Sequence, residues 1–498
     1  MSVQRSHDTL RIAWFSSCSI TRRLKSAAFT RAVLPALLER SDIAVDVFAT
    51  DEDLDELSSS DDSVFVVARG ARSDEESAHP ETPTSGKIPV RSVAGAFHRH
   101  RAAPFDIFFY QLEDHPAVSI LYRHHQLWPG LTLFHDLNLN ALHLEQFRFN
   151  TAATDLNRAM DRMFGSSSAR LGDYLVRGWS LDAFDPIYPA GMDCVRDSAK
   201  VLVSTLAAQR VLARKKVVSQ ICVFPQTPVD PVRSGAERES LRRMIDLPKD
   251  ARVIGFSGAP RLADRAPQVL EAFERLQSSR SSDSPILLWI VRPDVNESAV
   301  ESFVESHLSR NTSARVALLS ASSEAELAAF HSIPDLLVDT AADPMRSPGL
   351  TLWYGLARGV PTVVSSLTGH ELIERGAAIG VTPGSGEALA LQMTLERLLD
   401  DPALAKSIGR AGHSFVSENR SPERVARDLK AFFHEFEVES RALLQKQTAL
   451  YESTRRELLG QVSTQKIAGR TAPAPFTPEA CRAGHADKAA ISLGWRLS

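Results

Sequence analysis

The sequence predicts an α/β protein built from two Rossmann-like, doubly wound halves with a helical C-terminal extension. Short buried-type strands alternate with helical stretches along both halves, the spacing expected of parallel sheets. One stretch, Pro334 to Ser366, reads as a complete strand–loop–helix–strand unit. A chain of 498 residues also exceeds what one ordinary core holds, so two domains are expected.

Taken in order, residues 1–10 form a polar leader, and Arg11 to Ser17 (RIAWFSS) is the first strand. The loop after it, SCSITRRLKS, is rich in serine and bases, and Arg22, Arg23 and Lys25 stand at the strand's C-terminal end. The alternative for those bases is a solvated loop. The next helix runs to about Glu39, with Phe29, Val33, Leu34, Leu37 and Leu38 on its apolar face. Ile43 to Ala49 and Val64 to Ala68 are expected as short strands. Asp51 to Asp62 and Gly70 to Gly86 are expected as exposed loops, their acids serving solvation. Phe105 to Leu112 is a core strand, and a helix follows that Pro129-Gly130 closes. Leu131 to Phe134 is then a strand ending on His135-Asp136. Residues 137–195 are expected as a helical insert. A strand at Lys200 to Ser204, a helix to about Lys215 and a strand within Val217 to Phe224 complete the first domain, residues 11–232. TPVDPVRSGAE reads as the linker to the second.

The second domain, residues 233–415, opens with strand Val253 to Gly258 and a helix from about Asp264 to Leu276. Strand Ile286 to Val291, a helix near 297–308, strand Val316 to Leu319 and a helix near 323–331 follow. In the Pro334–Ser366 unit, Leu336 to Val338 form a strand and Ser347 is the expected N-cap, with Pro348 at the first helical position. Leu350, Leu352, Trp353 and Leu356 supply apolar contacts, Gly359 ends the helix, and Pro361 leads into the next strand. Such a unit turns its loop and helix start to one edge of a parallel sheet, where free amides and the helix dipole favour anions. From Ser385 onward the chain is helical. Residues 416–462 are expected as C-terminal helices whose first part crosses back to the first domain, and 463–498 as a tail.

Composition narrows the class. Hydrophobic residues make up 43% and charged residues 24% of the chain, as in a globular protein. A formal net charge of −4 argues against a general nucleic-acid binder. Cys18, Cys194, Cys222 and Cys481 form no C-x-x-C pair, so neither a disulfide framework nor a metal site is expected. No apolar run approaches the roughly 20 residues that span a bilayer. The expectation is a cytoplasmic protein, with peripheral contact at the inner face of the membrane left open.

Two segments carry a resemblance. SPGLTLWYGLARGVPTVVS and GFSGAPRLADRAPQVLEAF resemble the nucleotide-diphosphate-binding segments of GT-B glycosyltransferases, specifically the retaining, family-4-like ("group 1") enzymes. In the first half, Gln111, Leu112, Glu113, Asp114, His115, Pro129, Gly130, His135 and Asp136 resemble the acceptor-side pattern of the same family, with Glu113-Asp114 in place of a Gly-Asn pair. The resemblance implies two Rossmann-like domains facing a cleft, and it covers roughly residues 11–436.

It also implies roles. His135 and Asp136, at the cleft edge, and Arg265 would be the catalytic residues. Arg261, Arg346, Ser347, Gly349, Leu350 and Tyr354 would hold the donor, and Asp114 and His115 would lie on the acceptor side. Metal-independent members stabilise the departing diphosphate with cationic side chains and a helix N-terminus. For Arg261 and Arg265 the alternative is two exposed bases; for Ser347 an ordinary cap; for Tyr354 packing; for His135 a strand-end histidine bonded to backbone. The family's two acids fall here on Arg346 and Tyr354, and its lysine on Asp264.

The expected activity is transfer of a sugar from a nucleotide-sugar co-substrate to a glycan, lipid or protein acceptor, as in polysaccharide biosynthesis. No other cofactor is implied. The three altered positions and the long C-terminal helix support an alternative, a GT-B-fold partner or scaffold subunit of a glycosylation system without turnover. Fold alone does not decide between them.

Overall fold

The computed structural model describes residues 9–19, 21–22, 24–39, 42–60, 62–68, 87–142, 157, 161, 165, 173, 191–215, 221–224, 235–260, 264–280, 285–292, 295–343 and 349–467. The chain clusters into two units, Met1–Arg441 and Ala442–Ser498. The first holds two parallel sheets.

The first sheet contains β1 (Leu10–Phe15), β2 (Ile43–Ala49), β3 (Phe65–Val67), β4 (Ile88–Ser92), β5 (Ile107–Leu112), β6 (Leu131–Phe134), β7 (Lys200–Val203) and β8 (Ile221–Val223). Its order is β3-β4-β2-β1-β5-β6-β7-β8, and the central register pairs Trp14 with Val47 on one side and Phe109 on the other. The second sheet contains β9 (Val253–Phe256), β10 (Ile286–Val291), β11 (Val316–Ser320), β12 (Leu336–Asp339), β13 (Thr362–Ser365) and β14 (Ile379–Val381), in the order β11-β10-β9-β12-β13-β14. Every strand pair is parallel. Strands covered on both faces read as continuous apolar runs, and for that reason β5, β6, β10 and β12 stand out in the sequence.

In both sheets the strand order reverses beside the first strand, between β1 and β5 and between β9 and β12. At such a switch point the helices on either side leave in opposite directions and open a crevice beyond the strand ends. The loops after β1 and β5, and after β9 and β12, therefore hold the residues placed to meet a ligand.

The helix Pro422–Ile467 starts on the first sheet's core. Val425, Ala426, Leu429, Phe433 and Phe436 are buried in the same cluster as Trp14 and Phe109. Phe433 meets the Phe109 ring edge-on at 5.2 Å. Lys430 Nζ donates to Asp42 at 2.6 Å and Arg441 Nε to Asp106 at 2.8 Å.

Several expectations need correction. Asp51–Ser58 is a helix rather than a loop, because Thr50 Oγ1 caps the Asp53 amide and three acids sit in its first turn. Its acidity is not only solvation: Asp53 is buried and bonds Ser17 and Cys18, while Glu56 bonds Ser19 and Thr21. Strand β4 and the helix Ala96–Ala102 lie where the sequence signals no element. The helix after β9 is Ala266–Ser279 and starts later than Asp264, since Arg265 is in the left-handed region at φ +60°. The helix after β12 is Leu350–Ala357, with Gly349 as N-cap. Ser347 and Pro348 lie outside the described residues, as do Gly70 to Gly86 and the tail beyond residue 467.

Candidate functional site

At the first switch point the helix Lys25–Leu38 starts directly beyond β1. Its first amides are not open. Glu113, which follows β5, accepts from the Lys25 amide at 2.9 Å, from the Ser26 amide at 3.0 Å and from the Ser26 hydroxyl at 2.5 Å. A helix start has unpaired N–H groups and a positive dipole end, so a carboxylate settles there. Burial nonetheless pushes the Glu113 carboxyl above its usual range.

Lys25 Nζ reaches across to Asp136 at 2.7 Å, and both side chains keep some exposure, 27% and 7%. His135, beside it, is buried, and its Nε2 donates to Gln111 Oε1 at 2.9 Å. Gln111 in turn donates to Thr30 Oγ1 at 2.7 Å, which also accepts from Trp14 Nε1 at 3.0 Å and donates to Ser16. Burial, aided by the Lys25 charge, lowers the His135 pKa to about 3, so the imidazole is neutral. Through Gln111 it is tied into a core network of side chains.

Asp114 Oδ1 accepts from the amides of Ala141 and Leu142 at 2.7 and 3.1 Å. His115 Nδ1 accepts from the Ala117 amide at 3.1 Å. Asp114 thus holds a distant segment of chain, while His115 is a local cap. Burial and the Arg22 charge lower the His115 pKa.

At the second switch point, Arg265 turns onto Glu387, which is buried at the start of the helix Glu387–Asp400. Arg265 Nε donates to both carboxylate oxygens, at 3.2 and 3.0 Å, and a terminal nitrogen makes a third contact. The cation expected to meet a diphosphate therefore has an internal partner: the Arg265 fork is engaged bidentately, the strong geometry for a guanidinium and a carboxylate. Arg261 and Arg346 lie outside the described residues.

Tyr354 takes up the packing alternative. It packs with Leu352, Trp353, Leu356 and Phe330 in an apolar cluster at 7% exposure, so its ring serves packing. Leu350 lies partly buried against the same cluster. Gly349 caps the helix with no side-chain bond to the first amides, so this start carries no internal carboxylate among the described residues. Gly355 lets the helix close on β12, since a Cβ there would meet Leu337 at 2.3 Å. Gly359, at φ +72°, ends it: Val360 N donates to Gly355 O and Gly359 N to Leu356 O.

Sequence reasoning missed one acid and one base here, Asp339 and Arg292, and read Asp264 only as an altered family position. Asp339 ends β12, and burial together with the Asp264 charge raises its pKa to about 6. Asp264 accepts from the Ala259 amide at 2.7 Å. Arg292, just after β10, pulls the Asp339 value down. Only their position at strand ends flanking the switch point marks them, and that position requires the strand order.

No family model matches the chain, and no curated protein matches it. Solved structures do. The chain is similar to HepE from Anabaena, in complex with UDP and glucose, at a TM-score of 0.53 and 14% identity, covering 86% of this chain and 100% of that one. It is similar to sucrose-phosphate synthase from Thermosynechococcus elongatus at 0.51 and 14%, covering 86% and 99%. It is similar to an α,α-trehalose-phosphate synthase from Burkholderia xenovorans, in complex with glucose-6-phosphate, at 0.50 and 11%, covering 85% and 100%. The two parallel sheets are those of the GT-B fold.

Proposed function

We propose that the protein is a glycosyltransferase that transfers a sugar, with retention, from a nucleotide-sugar donor to a glycan, lipid or protein acceptor. The observation that carries this reading is the end-to-end likeness to two-domain GT-B structures, one of them holding UDP and glucose. The local geometry supports it in one respect. Among the described residues the helix start at Gly349–Leu350 has no side-chain cap, and it lies at a switch point, so its amides suit a donor diphosphate. In transfer, the bond from the sugar carbon to the phosphate oxygen breaks as the acceptor oxygen bonds that carbon. The acceptor proton passes to the departing phosphate. Asp136, held by Lys25 on the facing lobe, is the group suited to orienting an acceptor hydroxyl.

A second reading, a GT-B-fold partner subunit without turnover, is favoured by the pairing of Arg265 with Glu387, which removes an expected phosphate contact. The test is a titration with UDP-, GDP-, ADP- and CMP-linked sugars, following melting temperature and nucleotide release. A donor at 100 times its dissociation constant stabilises by about 2.7 kcal/mol. The expected result is a selective shift with one nucleotide, with release slowed at least tenfold in Asp136→Asn. No shift with any donor overturns the enzyme reading and leaves the partner reading.

A further inference from the structure

A pocket of mixed lining lies where the two sheets' domains meet. One wall is the end of β7 and the start of the helix Leu206–Lys215; the other is formed by Trp353, Thr368 and His370; Arg420 closes it. Arg420 joins the helix Pro402–Asn419 to the helix Pro422–Ile467.

Arg420 is 5% exposed, its Nε has no hydrogen-bond partner, and its guanidinium lies 3.7 Å over the Trp353 ring. A cation–π contact of this kind offsets part of the cost of burying the charge and supplies no acceptor for the N–H groups. Among the described residues no carboxylate comes within ion-pair distance of it. Glu371 lines the same pocket and attracts the guanidinium, but its side chain is exposed to water.

The facing helix start adds donors of a different kind. Thr205 Oγ1 accepts from the Ala208 amide at 3.0 Å. Leu206 and Ala207 remain at the pocket wall with amides that have no carbonyl one turn back. The cavity, about 30 Å³, equals room for about two or three waters, which suits one small tetrahedral group.

We propose that this pocket binds a phosphate-type oxyanion, held between the Arg420 guanidinium and the start of the helix Leu206–Lys215, so that it ties the two lobes together at the crossover. The buried cation without an acceptor and the dipole end facing it are complementary to the same charge. The site needs neither a donor sugar nor turnover, so its fate is independent of the reading above.

The probe is inorganic phosphate, titrated calorimetrically into the full chain at ionic strength held constant with sodium chloride. Saturable 1:1 binding is expected, weakened at least tenfold in Arg420→Gln. Ala207→Asp is the second variant. It places a carboxylate at the helix start, where it favours the helix, and should abolish phosphate binding without lowering the melting temperature. Glycerol phosphate separates the sources: tighter binding than inorganic phosphate assigns the pocket to a phosphomonoester, weaker binding to the free anion. Undiminished phosphate binding in both variants, or an equal response to chloride alone, overturns the proposal.

Discussion

In the first lobe the helix Lys25–Leu38 starts on a carboxylate that the protein supplies itself, Glu113. In the second lobe the helix Leu350–Ala357 starts on Gly349, and among the described residues no side chain caps its first amides. The first follows β1 and the second follows β12, so they are not counterparts in strand order, but each starts beside its sheet's switch point. The first is a finished structural joint, since its two leading amides and the Ser26 hydroxyl are already satisfied. The second keeps the amides that an external anion needs. Under the proposed function, a donor phosphate would be taken by the second lobe, and the first would contribute what is left at its rim, Lys25 and Asp136.

The comparison is tested hardest at Arg265, because the second lobe also contains a closed ion pair. Removing one partner of a buried pair typically costs about 3–5 kcal/mol. Arg265 keeps 22% of its side chain exposed, so Arg265→Ala should lose about 3 kcal/mol, read as a lower urea midpoint. Arg265→Gly should lose less, because its backbone at φ +60° suits glycine. If Arg265→Ala left the midpoint unchanged and weakened nucleotide binding instead, the arginine would serve the ligand, and the second lobe would be open at both points.

The next test is Asp339, which crowds Asp264 near the open helix start. Its folded pKa, about 6, lies above the ordinary carboxylate value of 3.8. Between those values the folded chain holds a proton that the unfolded chain has lost, so stability falls as pH rises through this window. Asp339→Asn should flatten that slope and leave the protein more stable than its parent at pH 8 by on the order of 2 kcal/mol. Urea midpoints at pH 4.5, 6 and 8 measure both. Parallel pH profiles for parent and variant would show that the carboxylate is solvated there, and that the second crevice is less enclosed than its geometry indicates.

Much of this was legible in the chain. β1, β5, β10 and β12 announce themselves as apolar runs, and Gly359 and Pro361 mark where the helix after β12 stops. The reach of polar side chains was not legible. Asp53 and Glu56 look like solvated acids in DEDLDEL, yet they hold the loop after β1. Arg265 and Glu387 are 122 residues apart, and Glu113 is 87 residues from Ser26. Periodicity reports which face of an element is buried. It carries no information on which distant carboxylate completes a helix start, because that depends on strand order. Tyr354 shows a related gap: a motif position implies a contact, while the helix's own packing decides where the side chain lies.

The smallest effect, and the one that addresses the comparison directly, is expected from Glu113→Gln. The amide side chain keeps one oxygen for a helix N–H and turns an NH₂ toward a donor, so one of the three bonds is lost. Against that loss, the buried negative charge disappears, and its raised pKa shows that burial already opposed it. Charge-assisted bonds contribute about 1.5–3 kcal/mol each, and relief of desolvation offsets part of one. The net loss should be about 1 kcal/mol, visible as a small drop in the urea midpoint. The variant also frees an amide at the helix Lys25–Leu38. If the first lobe is closed because of Glu113, adding phosphate should restore part of that stability in Glu113→Gln in an Arg420→Gln background, where the crossover pocket is disabled. If phosphate restores nothing, the carboxylate is only a cap, and the difference between the lobes lies in their loops.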